Sequence, residues 1–176
     1  MRRSLTREGL EELMKELARS APSNRSYRIF LVGGATAIHQ GWRSSTIDAD
    51  LHSDREEVFG DIQAIKERLQ LNIEFVRPED FVPALKGSEE RHLFIETVGR
   101  VSFYHYDPYA QLLSKVVRGF RRDLKDATSF IDSGLVEEER FRSLVHEIPQ
   151  ASYARYPSLS QAAVLQAVDD FLSARS

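Results

Sequence analysis

The chain contains no cysteine. This excludes a disulfide framework, a thiolate metal site and a cysteine nucleophile, and it fits a reducing compartment. Histidines are few: there are five, and no two stand at the His-x-x-x-His spacing that sets zinc ligands on one helix face. There is no Gly-x-Ser-x-Gly elbow and no phosphate-binding loop of the Gly-x-x-x-x-Gly-Lys-Ser/Thr type. No apolar run approaches the roughly 20 residues needed to span a bilayer. The opening Met1-Arg-Arg-Ser-Leu-Thr-Arg-Glu8 lacks the apolar stretch of a secretory signal. Charge of one sign is not in excess either. Lys and Arg number 24 and Asp and Glu 27, a net charge of −3, so bulk attraction to nucleic acid is not the main design, although a local basic patch is compatible with it. These absences predict a soluble cytoplasmic protein with no membrane partner.

What is present is an ordinary globular composition in 176 residues, enough for one domain with a small appendage. Leu10, Leu13, Met14 and Leu17 fall at helical spacing after Thr6, which predicts an amphipathic helix to about Ala18. Tyr27–Val32 is a short run of strand formers stopped by Gly33-Gly34, and residues 35–40 follow as a short helix. Residues 47–51 and 72–76 alternate as strands, with one helix predicted over 56–70 between them. Residues 92–97 and 101–106 read as a hairpin, and helices follow over 108–119, 121–133, 137–146 and 160–173. The predicted class is α+β, a mixed β-sheet flanked by helices with a helical C-terminal part. The expected division is a core over 1–107 and a helical part over 108–176.

The chemistry concentrates in two strands. In a strand, residues two apart point the same way, so Asp48 and Asp50 share one face about 7 Å apart while Ile47, Ala49 and Leu51 take the core face. Asn72 and Glu74 repeat the pattern against Ile73 and Phe75. If the strands are neighbours, Glu74 joins the two aspartates. Gathered carboxylates repel one another unless cations neutralise them. Hard oxygen ligands of this kind suit Mg²⁺, which also takes phosphate oxygens. Two such ions clamp the attacking and leaving oxygens of a displacement at phosphorus. An Asp-x-Asp at a strand end also occurs as a plain solvated edge.

Gly33-Gly34 lies between a strand and a helix, where the missing Cβ atoms let a backbone approach phosphate. Arg43, Ser44, Ser45 and Thr46 precede the acids, and a guanidinium with hydroxyls there suits triphosphate oxygens. The candidate nucleotide-binding residues are therefore Gly33, Gly34, Arg43, Ser45 and Thr46.

Gly33-Gly34, Arg43-Ser-Ser-Thr-Ile-Asp48-Ala-Asp50 and a carboxylate on a later strand together resemble the nucleotidyltransferase superfamily typified by DNA polymerase β, its minimal members above all. The segment Asp107–Asp126, with Lys115 and Arg122-Asp123, is similar to the helical motifs of AbiEii-type nucleotidyltransferases, a group that includes toxin halves of bacterial toxin–antitoxin pairs. The resemblance spans about Tyr27 to Leu135. It implies Asp48, Asp50 and Glu74 as metal ligands, Lys115 as the neutraliser of nucleotide phosphate, and Asp123 as the residue completing the catalytic set. Many such relatives carry Gly-Ser where this chain has Gly33-Gly34, so the hydroxyl is expected from Thr36 or Ser45. Lys115, Arg118 and Arg122 share a face if their helix is continuous across Gly119; the alternative is local pairing with Asp123 and Asp126.

The expected activity is metal-dependent transfer of a nucleoside monophosphate from an NTP to an acceptor hydroxyl, with two Mg²⁺ ions and release of pyrophosphate. The acceptor is open among an RNA 3′ end, a protein side chain and a small alcohol. An antitoxin partner follows from the toxin-like resemblance. The alternative is a non-catalytic nucleotide-binding or partner-binding module of the same fold.

Overall fold

A computed structural model describes residues 1–175; residue 176, the last of the expected helical part, lies outside the described residues. In chain order the elements are α1 (Arg7–Ser20), β1 (Tyr27–Val32), α2 (Gly34–His39), β2 (Asp48–His52), α3 (Ile62–Leu69), β3 (Asn72–Phe75), β4 (Leu93–Val98), β5 (Val101–His105), α4 (Pro108–Arg118), α5 (Arg121–Asp132), α6 (Glu138–His146) and α7 (Gln161–Ala174). The class is α+β, as the residue pattern predicts. The five strands form one mixed sheet in the order β3-β2-β1-β5-β4. β1 pairs antiparallel with β2 and parallel with β5, β2 pairs parallel with β3, and β4 and β5 form the antiparallel hairpin.

The chain divides into two compact units. The first comprises Met1–Arg77 and Leu93–Tyr106, and the second Pro78–His92 with the chain from Asp107 onward. The first unit holds the whole sheet with α1, α2 and α3. Thr6 caps α1 by accepting from the Gly9 N–H, and Leu10, Leu13, Met14 and Leu17 form its buried stripe. They join Ile29, Leu31, Ala49, Leu51, Ile73 and Phe103 from the sheet and Ile65 and Leu69 from α3 in one core. Each fully buried Leu there contributes about 1.5–3 kcal/mol.

Two local expectations are corrected. Residues 56–70 are not one helix: a 3-10 turn over Glu56–Phe59 closes at Gly60, and α3 begins only at Ile62. Val58 and Phe59 are buried as well as Ile62, Ile65 and Leu69, and Gly60 favours a break over a continuous helix. Ile47 is not a core residue; it is 60% exposed, because β2 starts one residue later.

The second unit is helical. Asp107 caps α4 by accepting from the Tyr109 N–H, with Pro108 at the first helical position. Ser160 caps α7 by accepting from the Ala163 N–H. Gly119, at φ 67°, ends α4, and α5 starts afresh at Arg121. Among the described residues, no helix is long and apolar enough to cross a membrane.

Candidate functional site

β1 delivers the chain from a buried run, Leu31-Val32, into a turn that only glycine fits. Gly33 has φ 55° and ψ −122°, a conformation that L side chains rarely adopt. A Cβ there would also stand 3.0 Å from Asp50 Oδ2, so the glycine keeps a side chain off that carboxylate. Gly34 opens α2, and a Cβ on it would meet Thr46 Oγ1 at 2.4 Å. Thr46 is held in place by its backbone: its N–H donates to the Leu5 carbonyl at 3.0 Å, and its carbonyl accepts from the Leu5 N–H at 2.7 Å.

The acids come from the next strands. Asp48 and Asp50 are half-buried on one face of β2, while Ala49 and Leu51 are fully buried on the other. Asp50 lies in register with Val32 of β1 on one side and with Glu74 of β3 on the other; Asp48 is in register with Asn72. The two strands are thus neighbours, and Glu74, which is exposed, stands on the strand beside Asp50. Among the described residues, no three His, Cys, Asp or Glu side chains are gathered as a closed metal-binding group. The donor set nevertheless fits Mg²⁺, which is commonly held by one or two carboxylates and completed by substrate phosphate and water. His52 follows the acids on the same face and packs against the Phe30 and Tyr106 rings at 5.9 and 5.8 Å between centroids.

The polar loop is divided in its roles. Arg43 is half-buried and Ser45 is exposed, whereas Thr46 is buried. Thr36 cannot serve as a phosphate ligand. It is completely buried; its hydroxyl donates to the Leu31 carbonyl and accepts from His105 Nδ1, both at 3.1 Å. The expectation that Thr36 replaces a serine hydroxyl is therefore corrected, because a core hydrogen bond already uses that hydroxyl.

The same bond reveals a polar chain that sequence reasoning missed. Since the Thr36 proton goes to Leu31, the hydrogen-bond network assigns the His105 ring proton to Nδ1. His105 Nε2 is then an acceptor, 3.0 Å from Gln40 Nε2 and 3.2 Å from His39 Nδ1. Burial, with His39 and Arg7 nearby, lowers the His105 pKa to about 3. Burial and then Arg7 lower that of His39 as well, against the opposing pull of Glu96 and Glu11. Strand alternation on β5 was the available signal for His105, since it follows Val101 and Phe103 on the buried face.

In the second unit, Lys115 is not part of a solvated cationic stripe. The positive φ of Gly119 breaks the helix before Arg122, and Lys115 is only 6% exposed. Its Nζ lies 3.1 Å from Asp126 Oδ2 and 3.8 Å from Asp123 Oδ1, and Arg118 Nε lies 3.5 Å from Asp123 Oδ2. Asp123 and Asp126 are buried too. The result is a compact cluster of two cations and two carboxylates joining α4 to α5. Asp107, also fully buried, accepts from Ser88 Oγ at 3.0 Å and from Arg91 through Nε at 3.1 Å and Nη2 at 2.8 Å.

No curated protein and no solved structure matches the chain. A family model does: residues 8–171, which include the acid-bearing strands, the glycine turn and the Lys115 helix, match the family described as nucleotidyltransferase of unknown function (DUF6036). The chain belongs to that family of nucleotidyltransferases.

Proposed function

We propose that the protein transfers a nucleoside monophosphate from an NTP to an acceptor hydroxyl by the chemistry of the polymerase β superfamily, in an AbiEii-like minimal form. The observation that carries this reading is the register of Asp48, Asp50 and Glu74 on neighbouring strands, with the Gly33 turn against Asp50. Mg²⁺ bound to Asp48 and Asp50, with a second ion toward Glu74, would supply charge neutralisation on the triphosphate. Asp48 and Asp50, on a buried strand, hold their carboxylates in fixed positions, which is what catalysis by positioning and electrostatics requires. Gly33 keeps the approach to Asp50 clear of a side chain. Arg43 and Ser45 bind phosphate oxygens from the loop, and Thr46 contributes the hydroxyl beside Gly34. The acceptor oxygen forms a bond to the α-phosphorus, the bond from that phosphorus to the bridging oxygen breaks, and pyrophosphate leaves. Glu74, the exposed member, takes the acceptor proton. Within its own unit the Lys115 ammonium is oriented by Asp126 and Asp123, and the resemblance proposes it as the group that neutralises nucleotide phosphate.

RNA or protein as the acceptor, a toxin-like role with an antitoxin partner and a cytoplasmic location extend the same resemblance and belong to this proposal. The test is incubation with each α-labelled NTP and Mg²⁺ in total cellular RNA and protein. Labelled macromolecule with pyrophosphate release, both lost in Asp48→Asn, is the expected result. A nucleotide-dependent rise in melting temperature with no pyrophosphate from any mixture would replace the enzyme with a binding module.

A further inference from the structure

The second unit carries a surface that the transfer chemistry does not use. Phe81 is 44% exposed, Phe120 64% and Leu124 37%. The Arg118 guanidinium carbon stands 5.8 Å from the centroids of both the Phe81 and Phe120 rings, so one cation lies against two exposed aromatic faces. Its pairing with Asp123 holds that guanidinium in place. Arg121, Arg122 and Lys125 are exposed on the first turns of α5, and the one acid between them, Asp123, is buried. A chain with a net charge of −3 thus presents four exposed cations within eight residues, beside the exposed Phe81 and Phe120 rings. A cavity of about 400 Å³ begins at Gly119 and Leu124 and is lined further by Val116, Thr128, Asp170 and Phe171.

Single exposed rings are ordinary, but apolar groups clustered on a surface and rimmed by charge mark an interaction site. An acidic peptide would satisfy the cations but has no general use for flat π faces. Unstacked nucleobases have such faces, and their phosphates repeat along the strand as the cations repeat along the helix; this combination of rings and cations is how single strands are held. A duplex hides its faces within the stack and offers only its phosphates.

We propose that the Phe81–Arg118–Phe120 platform, with Arg121, Arg122 and Lys125, binds single-stranded nucleic acid by base stacking and phosphate pairing. The bases stack on the two phenylalanines, the three outer cations take phosphates, and a base turned off the stack has the adjoining cavity beside it. This binding is independent of nucleotidyl transfer and needs neither metal nor NTP.

The test is fluorescence anisotropy with the full chain in EDTA, without nucleotide, using labelled 20-mers of single-stranded RNA, single-stranded DNA, duplex DNA and poly-glutamate. Single strands should bind more tightly than the duplex and the peptide, and the ratio of RNA to DNA affinity identifies which strand is preferred. Phe120→Ala should weaken single-strand binding roughly tenfold and leave the salt dependence unchanged. Arg121→Ala with Arg122→Ala and Lys125→Ala should lower the slope of log affinity against log salt by about one for each phosphate that no longer meets a cation. The substituted residues are exposed, so melting temperatures should stay near that of the parent; Phe81→Ala provides a second aromatic readout. No single-strand binding at low salt, equal binding of duplex, or equal binding of poly-glutamate with no effect of either phenylalanine would overturn the proposal. Failure here leaves the NTP-labelling result untouched, and failure of labelling leaves this binding untouched.

Discussion

Thr46 Oγ1 occupies the place from which a side chain at residue 34 would grow: a Cβ on Gly34 would lie 2.4 Å from it. A serine side chain at residue 34 therefore has no room here, and a hydroxyl from a different point in the chain stands beside the turn instead. Gly34→Ala should destabilise by about 1–3 kcal/mol, the usual cost of overpacking. Thr46→Ala in the same chain should recover part of that loss, because it removes the oxygen contact and leaves the Cβ contact at 2.9 Å. A urea-unfolding double-mutant cycle reads the coupling. Strict additivity of the two changes would mean that the two residues do not compete for this space.

Gly33 carries a different constraint. Gly33→Ala forces a Cβ into a positive-φ turn, at a cost of about 1–3 kcal/mol, and pushes it against the Asp50 carboxylate. The loss of label transfer should then exceed what the loss of folded protein explains. Activity normalised to the folded fraction by circular dichroism checks this.

Asp48→Asn and Asp50→Asn should each lower label transfer roughly a thousandfold, about 4 kcal/mol of barrier, with little change in melting temperature, since neither side chain is part of the apolar core. Glu74→Gln should leave nucleotide binding intact and lower the transfer rate. An Asp48→Asn protein with parental activity would remove the aspartates from the reaction.

His105 makes stability depend on pH in a defined direction. Its pKa falls from 6.5 to about 3 on folding, so between those values the unfolded chain binds the proton and the folded chain does not. Stability should be complete above about pH 6.5 and fall as the pH drops toward 3, by at most about 1.4 kcal/mol per pH unit from this group. His39 is shifted in the same direction and adds to the fall. Urea unfolding at pH 4 to 8 should show a shallower slope for His105→Gln, which keeps a polar side chain without a titrating ring.

Lys115→Met should cost about 3–5 kcal/mol, because it leaves Asp123 and Asp126 buried with one fewer cation. Lys115→Met with Asp126→Leu should recover much of that stability. The recovered double variant separates two roles: restored folding with activity still absent places Lys115 in the chemistry, and restored activity makes it structural.

Much of this architecture is readable from alternation and breakers. Tyr27–Val32 begins and ends where the strand does, because aromatic and β-branched residues stop abruptly at two glycines. The shared face of Asp48 and Asp50 follows from a period of two, and a parallel register then sets Glu74 on the strand beside Asp50. The failures have physical causes. Ile47 is apolar and one step from the strand, but sits in the approach to it rather than in the ladder. The Lys115–Arg122 stripe assumes a straight helix, and a single left-handed glycine turns it. Asp107, Arg91 and Ser88 come together through tertiary pairing across 16 and 19 residues, which no local period encodes. The Thr36–His105 bond, across 69 residues, is of the same kind.

The chain leaves the sheet after Arg77, returns at Leu93 and leaves again at Asp107, and this has a consequence for how the protein is made. β1 emerges from the ribosome early, but its parallel neighbour β5 is not synthesised until Val101–His105. Until then the unpaired backbone edge of Ile29–Leu31 faces solvent or a chaperone, and such edges template aggregation. Slow translation once residue 106 has cleared the ribosome would favour closure of the sheet, whereas a stall with only the first 77 residues emerged would leave β1 without β5 and expose a half-built sheet to the cell's quality control.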